Sequence, residues 1–427
     1  MVTSGTPRSV AVLGGGAVGL ATAYSLQQQG VAVTVIESGV PGHGASWGNG
    51  GWLSPVLTIP TPAPGIPRMG MVESLQRDSA VRVSPLSDPS IVPWLLRFAR
   101  RCTKSAFEDG SRRLAALSKG MFDGFDELSR LGVPIEVQRR GNLRACLSES
   151  EARDQLRELA PMRAAGFAVP AEILRKDEIH DLEPQLSDRV VAGFNLSEER
   201  DVDPTVMCAR LTDLLRQGGA EIRSNTAVQS ISVDGGRVRA LETTDGPVTA
   251  DAYVIAAGLN TRGLTRQLGV RLPLRGGKGY SFFVPADEAP SRPLYLSHTK
   301  VGVTPMADGY RVVGAMELAD ESFRINHRVV DAMASIARRF LRHGPPTGQG
   351  LSQLWAGMRP MTADGLPIID RLPGIGNAYV NAGHGMTGVG LSMVSGSALA
   401  DFVLSGQRPD ALGAFTVDRT QPRGRSR

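Results

Sequence analysis

The stretch SVAVLGGGAVGLATAYSLQQQGVAVTVIE, Ser9 to Glu37, decides the fold. Its opening run, Ser9 to Gly14, predicts a buried strand. Ala17 to Gly30 predicts a helix closed by glycine, and Val31 to Glu37 a second strand ending in an acid. Between strand and helix lie Gly14, Gly15, Gly16, Ala17, Val18 and Gly19. Gly14 permits a tight turn, Gly16 lets backbone N–H groups approach a pyrophosphate, and Gly19 lets the helix pack on the strand. Glu37, followed by Ser38, lies about 20 residues beyond the turn. A carboxylate there takes both hydroxyls of a ribose and repels a 2′-phosphate, which disfavours NADP.

Outward from this unit, HGASWGNGGWLSP (His43 to Pro55) is too rich in glycine for a strand or a helix. Small residues suit a backbone pressed against a flat ring system, so Ala45, Ser46, Asn49, Gly50, Gly51, Trp52 and Leu53 are candidate cofactor contacts. In the middle of the chain Asp203 and Pro204 open a helix. Ala220 to Gly258 reads as short strands joined by turns. Its last run, AYVIAAG, predicts a return strand of the nucleotide sheet with Ala257 and Gly258 near the cofactor, and Val228 joins the same set. Near the other end, Gly383, His384, Gly385, Met386, Thr387 and Gly388 form a second glycine turn before a small-residue helix reaching about Leu404. Two such turns at opposite ends of the chain fit one extended cofactor gripped from both sides, FAD rather than NAD.

Composition sets the outer limits. The 427 residues suit two domains, with 50 glycines, 21% charged residues and a formal charge of only +5. That balance describes a solvated surface and excludes nucleic acid as a partner. Cys102, Cys146 and Cys208 are far apart and in no metal spacing, so neither a metal site nor disulfides are expected, and a reduced cytoplasmic setting follows. Residues 1–8 lack a signal-peptide core, and no run of about 18 apolar residues spans a membrane. Ile91 to Phe107 pairs Trp94, Leu95, Leu96 and Phe98 with Arg97, Arg100, Arg101 and Lys104. As one basic amphipathic helix it reads either as a peripheral membrane contact or as a cap on the second domain.

The pieces GGGAVG, Glu37, GASWGNGGWLSP, Asp203-Pro204, KGYS (Lys278 to Ser281), GMRPMTADGLPIID (Gly357 to Asp370) and NAGHGMTG (Asn381 to Gly388) run from end to end. Through them the chain resembles FAD-dependent amino-acid and amine oxidoreductases of the D-amino-acid oxidase type, above all the bacterial D-amino-acid dehydrogenases. The resemblance implies a mixed α/β fold: a glutathione-reductase-style, Rossmann-like FAD domain beside an antiparallel substrate sheet. It also implies oxidation of a C–H bond next to an amine, with hydride passing to flavin. The substrate is then a D-amino acid or a related secondary or imino amino acid. A glycine- or sarcosine-oxidase-like enzyme and a noncatalytic flavin subunit are the rival readings. The acceptor is a quinone or O2. No cysteine stands near Arg359 or the last glycine turn, so FAD is expected to be non-covalent.

On that resemblance Arg359 pairs a substrate carboxylate, its other reading being a structural arginine that holds the following loop, with Gly357 and Arg359 also near the flavin. Tyr280 either faces the pocket or is a half-buried strand tyrosine. His384 completes the candidate catalytic set, although it is not cast as a base and filling space is its other reading. Val389 and GNGG (Gly48 to Gly51) depart from the dehydrogenase pattern and reshape the pocket. The expected FAD domain is discontinuous, 8–57, 190–270 and 350–415. The substrate domain is 58–189 and 271–349, with a candidate lid at Thr58 to Arg68, and 416–427 is a flexible basic tail.

Overall fold

A computed structural model describes residues 5–67, 81–83, 88–318, 320–346 and 351–421. The run SVAVL forms a strand, Ser9–Leu13, near the centre of a six-stranded sheet. The sheet runs in the order 368–371, 378–382, 252–255, 9–13, 32–36, 221–223. Every neighbour is parallel except the edge strand Ile368–Arg371. Both faces are covered, which is why these strands are continuously apolar. Val10 and Val12 pack with helices Ala17–Gln28, Pro204–Gln217 and Ser392–Ser405. Ala11 and Leu13 pack under the three-stranded sheet of 228–234, 237–243 and 246–248. The expected return strand is Ala252–Ile255, beside Ser9–Leu13. The Asp203 carboxylate caps its helix through Thr205 N–H (2.8 Å).

The strand–turn–helix closes tightly. Gly14 has φ +112°, and a Cβ on Gly19 would overlap the Gly14 carbonyl oxygen. Helix Ser392–Ser405 lies against helix Ala17–Gln28 just as closely, since a Cβ on Gly396 would stand 2.8 Å from the Thr22 nitrogen. Asn381 Nδ2 donates to Thr22 Oγ1 (3.1 Å) across 359 residues of sequence.

The second sheet has nine strands. Eight run in the order 352–361, 275–285, 309–318, 301–306, 294–296, 142–146, 192–196, 174–175, and 81–83 joins beside 309–318. All pairs are antiparallel except 142–146 with 294–296 and 81–83 with 309–318. The boundaries drawn from sequence need correction here. Strands Ala192–Leu196 and Ser352–Met361 lie in this sheet, whereas 190–270 and 350–415 were assigned whole to the nucleotide domain. One face packs on helix His327–Phe340. The other carries a single cross-strand row of Phe194, Arg144, Tyr295, Gly302, Val313, Ser281 and Trp355.

Two further expectations change. The basic segment is two helices, Val92–Arg101 and Lys104–Ser118, separated where the Thr103 hydroxyl caps the second through Ala106 N–H (3.3 Å). Trp94 and Phe98 are buried, so its aromatic face is an internal cap, with Leu96, Arg97, Arg100 and Arg101 exposed. Residues 416–421 are not a loose tail. Asp370 Oδ2 accepts Val417 N–H (2.8 Å), and Arg419 pairs with Asp364 (2.9 Å). Residues 422–427 lie outside the described set, as does Arg68 at the end of the candidate lid. No helix among the described residues is long and apolar enough to cross a membrane.

The close approach at Gly19 yields a contrast. A Gly16 Cβ would meet only Ser46 Oγ at 3.5 Å. Gly19→Ala is therefore expected to lower the melting temperature by more than about 5 °C, and Gly16→Ala by less than about 2 °C, in thermal unfolding.

Candidate active site

Gly16 caps helix Ala17–Gln28 without a side-chain bond. Ala17 N–H donates to Ser46 Oγ (3.0 Å), while the N–H groups of Gly16 and Val18 find no acceptor among the described residues. They form the positive end of the helix. The Glu37 carboxylate is fixed beside them. Its Oε2 accepts Gly15 N–H (2.7 Å), and its Oε1 accepts Gly39 N–H (2.9 Å) and the Ser38 hydroxyl (3.1 Å). Asn225 and Thr226 donate to the carbonyls of Gly39 and Glu37 (2.8 Å each), which brings Val228 to the same corner. Ala257 and Gly258 adjoin Gly14, whose Cβ would stand 2.8 Å from the Ala257 Cα.

The 43–55 loop leaves this corner and is stitched to the second sheet. Asn49 Oδ1 accepts Gly51 N–H (2.8 Å), the Gly50 carbonyl accepts the Thr304 hydroxyl (2.9 Å), and Arg311 donates to the Asn49 carbonyl (3.2 Å). Gly51 has φ +72°, and a side chain there would overlap the Val202 carbonyl. Ala45 is exposed and Ser46 half-buried, both beside the helix end. The side chains of two expected contacts turn away, while the Trp52 carbonyl stays beside Gly390, whose Cβ would stand 3.2 Å from it. Leu53 is fully buried in the nucleotide-sheet core, and the Trp52 indole lies over Gly302, donating to Thr304 Oγ1 (2.8 Å).

The C-terminal turn meets the first one, because a Gly388 Cβ would lie 3.9 Å from Val18 Cγ2. Gly385 N–H donates to the Pro360 carbonyl (3.0 Å), tying the turn to the strand that carries Arg359. Gly383 to Thr387 share a cleft with Ile59, Thr61 and Met361, so the first part of the candidate lid borders the turn. The N–H groups of Gly388, Val389 and Gly390 have no acceptor among the described residues. His384 sits beneath the turn, buried, with Nε2 3.2 Å from Ser395 Oγ. Burial lowers its pKa from 6.5 to about 4, so the ring is neutral at ordinary pH.

Arg359 lies over Gly279, where its guanidinium fills the space of a missing side chain. It donates to the carbonyls of Ala315 (2.6 Å) and Gly314 (3.1 Å) and has no carboxylate partner among the described residues. Both acceptors sit at a register shift opposite Lys278 and Tyr280, with Ala315 at φ +60°. The bulge turns these carbonyls out of the ladder and toward the arginine. Desolvation lowers the Arg359 pKa to about 10, leaving it charged.

Tyr280 is not brought to this site. Strand alternation puts Gly277, Gly279 and Ser281 on the Arg359 face and Lys278, Tyr280 and Phe282 on the other. Tyr280 is 1% exposed within the core that includes helix His327–Phe340, and its hydroxyl donates to Glu317. Burial and that carboxylate push its pKa up. The sequence reading also missed Trp355, whose ring fills the space beside Gly48 and Gly357, and Arg311, which anchors the loop. A lone arginine in the apolar run of Gly309–Leu318 was the available signal for the latter. Among the described residues no cluster of His, Cys, Asp or Glu could hold a metal.

A βαβ nucleotide turn, a second glycine turn seated against it and an arginine-bearing sheet beside both define an α/β flavoprotein oxidoreductase. The profile of FAD dependent oxidoreductases, DAO, matches residues 9–402. The chain belongs to this family and is an FAD-dependent oxidoreductase. It is 31% identical over 425 residues to a D-amino acid dehydrogenase of Cereibacter sphaeroides, covering 97% of this chain and 96% of the relative. A D-amino acid dehydrogenase of Methylobacterium radiotolerans is 33% identical over 429 residues, covering 96% and 100%. Among solved structures, glycine oxidase from Geobacillus kaustophilus superposes with a TM-score of 0.74 at 23% identity, over 98% of this chain and 100% of that one. At that identity the likeness concerns the fold.

The buried His384 gives a pH signature. Its folded pKa is depressed, so the unfolded chain takes up the proton first and stability falls as pH drops from 6.5 toward 4. Unfolding measured across that range should show a loss on the order of 3 kcal/mol, largely absent in His384→Gln.

Proposed function

We propose that the chain oxidatively deaminates a D-amino acid, or a related secondary or imino amino acid, in the cleft beside Arg359. The observation carrying this reading is the guanidinium itself: half-buried, charged, and among the described residues bonded only to two carbonyls. A substrate α-carboxylate supplies the missing anion as a two-pronged pair. The relatives named D-amino acid dehydrogenase support the amino-acid class and the D configuration.

The residues present fit FAD. The free N–H groups at Gly16 and Val18 suit its pyrophosphate, and Glu37 suits its ribose. The backbone of 45–51 and the donors at Gly388 to Gly390 suit the ring and its pyrimidine edge, where reduction places negative charge. Bound FAD supplies a hydride acceptor next to the substrate carbon that bears the amine. Arg359 fixes the carboxylate so that this carbon faces the ring. Neutral His384 holds the turn and takes no proton. The imine left behind is hydrolysed by water to a 2-oxo acid and ammonia. A non-covalent FAD is in keeping with Cys146 and Cys208, which are buried with thiol pKa values pushed up to about 12. Electrons then pass to a quinone or to O2. The exposed Leu96, Arg97, Arg100 and Arg101 offer a peripheral membrane contact for the quinone route. Absence of sedimentation with anionic vesicles at low salt removes that contact.

Anaerobic mixing with D-amino acids, L-amino acids, sarcosine and prolines should bleach the flavin absorbance with the D-amino acid or secondary-amine set. Readmitted air then separates O2 from other acceptors. Arg359→Gln is expected to keep its flavin while weakening substrate binding roughly 100-fold. Unchanged binding in that variant overturns the assignment.

A further inference from the structure

Behind the bulge that releases the Arg359 carbonyls, on the far face of the sheet, lies a buried charged cluster. Register places Lys278 opposite Glu317 and Tyr280 opposite Gly314, so Gly279 alone faces the two residues Ala315 and Met316. On the cleft side Arg359 covers Gly279 and bonds the Ala315 and Gly314 carbonyls. On the other side Lys278, Tyr280 and Glu317 are all buried. The Glu317 carboxylate gathers two donors and a cation there. Tyr280 donates its hydroxyl, Asn326 donates through Nδ2 (2.9 Å), and the Lys278 ammonium lies at 4.0 Å, itself paired with Asp320 at 2.8 Å.

A bulge leaves its extra residue outside the ladder, and a left-handed alanine persists only where its surroundings over-determine it. Ala315, at φ +60°, is constrained from three directions. Its N–H reaches the Lys300 carbonyl (3.2 Å) beside it, and Arg359 holds its own carbonyl in front (2.6 Å). The third constraint lies behind. Lys278 and Tyr280 bracket the bulge on one strand, and Glu317 is the first residue after it on the other. A carboxylate bonded to the tyrosine across the bulge fixes the span over which the extra residue must fold. Apolar side chains would fill this core without any such directional link, and buried charges cost free energy unless their partners are complete. Asn326 ties the start of helix His327–Phe340 to the same carboxylate, so the helix backing the sheet holds the cluster in turn.

We infer that Glu317, with Tyr280 and Lys278, positions Arg359 by pinning the bulge from the far face, and thereby sets the affinity for the substrate carboxylate. The inference rests on the reading of Arg359 as the α-carboxylate partner. Strand alternation keeps all three residues off the cleft face, so they act only through the arginine. A guanidinium pairs a carboxylate through two parallel bonds, and that geometry tolerates little displacement. Without the pin, Ala315 relaxes from its left-handed conformation, the two carbonyls turn back toward the ladder, and the guanidinium loses its fixed height above the sheet.

The test is a double-mutant cycle on the flavin-loaded protein, read as anaerobic flavin reduction by D-alanine and by D-proline. Tyr280→Phe removes one hydroxyl, and Glu317→Gln removes the charge that receives it. Each should raise the apparent Kd about tenfold while changing the limiting reduction rate less than about threefold. In an Arg359→Gln background the same substitutions should change Kd less than about twofold, because the group they position is gone. Equal effects in both backgrounds, or an unchanged Kd in the single variants, overturn the inference. If Glu317→Gln does not fold, Tyr280→Phe carries the cycle alone. A crystal structure of Tyr280→Phe gives a readout free of turnover. Arg359 should part from at least one of its two carbonyls there, and an Ala315 φ still near +60° with both bonds kept overturns the inference. If Arg359→Gln binds these amino acids as tightly as the native protein, or neither reduces the flavin, the reading beneath fails, while the crystal structure still decides whether the cluster pins the bulge.

Discussion

The structure depends on one close approach, helix Ala17–Gln28 wedged between strand Ser9–Leu13 and helix Ser392–Ser405. Gly19 removes the side chain that would separate the helix from the Gly14 carbonyl, and Gly396 does the same where the two helices touch. Because no layer of side chains intervenes, the start of the C-terminal helix is placed beside Val18. Two sets of free N–H groups, at Gly16 and Val18 and at Gly388 to Gly390, consequently open onto one region. Larger residues at these contacts would hold the helices further apart, since packed interiors do not stretch to accommodate added volume.

The second sheet meets this region through hydrogen bonds as well as the Trp52 and Trp355 contacts. Thr304 and Arg311 bond the carbonyls of Gly50 and Asn49, and Gly385 reaches the Pro360 carbonyl. Each bond satisfies loop backbone that would otherwise be buried without a partner. The loop therefore takes its position from two sheets at once. The bulge at Ala315 adds the last fixed point by releasing the two carbonyls that hold Arg359.

What was legible in the sequence was local. The strand, turn, helix and acid of 9–37 are consecutive, so spacing alone carries them, and the Asp203 cap is equally local. The second glycine turn was legible as a turn, and its contact with the first followed from the idea of one extended cofactor. Sheet membership was not legible. Ala192–Leu196 and Ser352–Met361 are ordinary apolar strands, and only long-range pairing places them. Tyr280 failed because the KGYS match fixes residues along a strand but not which face meets the cleft. The side-chain directions of Trp52 and Leu53 were not legible either, their loop turning into a two-residue strand against Arg200–Asp201.

The arginines divide by their partners. Arg140 pairs with Asp201 at 2.7 Å, Arg275 with Asp88 at 3.0 Å and Arg419 with Asp364 at 2.9 Å, each joining distant segments. Arg311 has only carbonyls, and those belong to the loop it anchors, so its work is complete without an anion. Arg359 and Arg144 share with Arg311 a pKa lowered by desolvation and the lack of a carboxylate partner among the described residues, and Arg359 differs in that its two carbonyls belong to the sheet and not to the loop. A charge held this way costs folding free energy unless a partner arrives. On the proposed reading, a substrate α-carboxylate paired with Arg359 offsets that cost on binding.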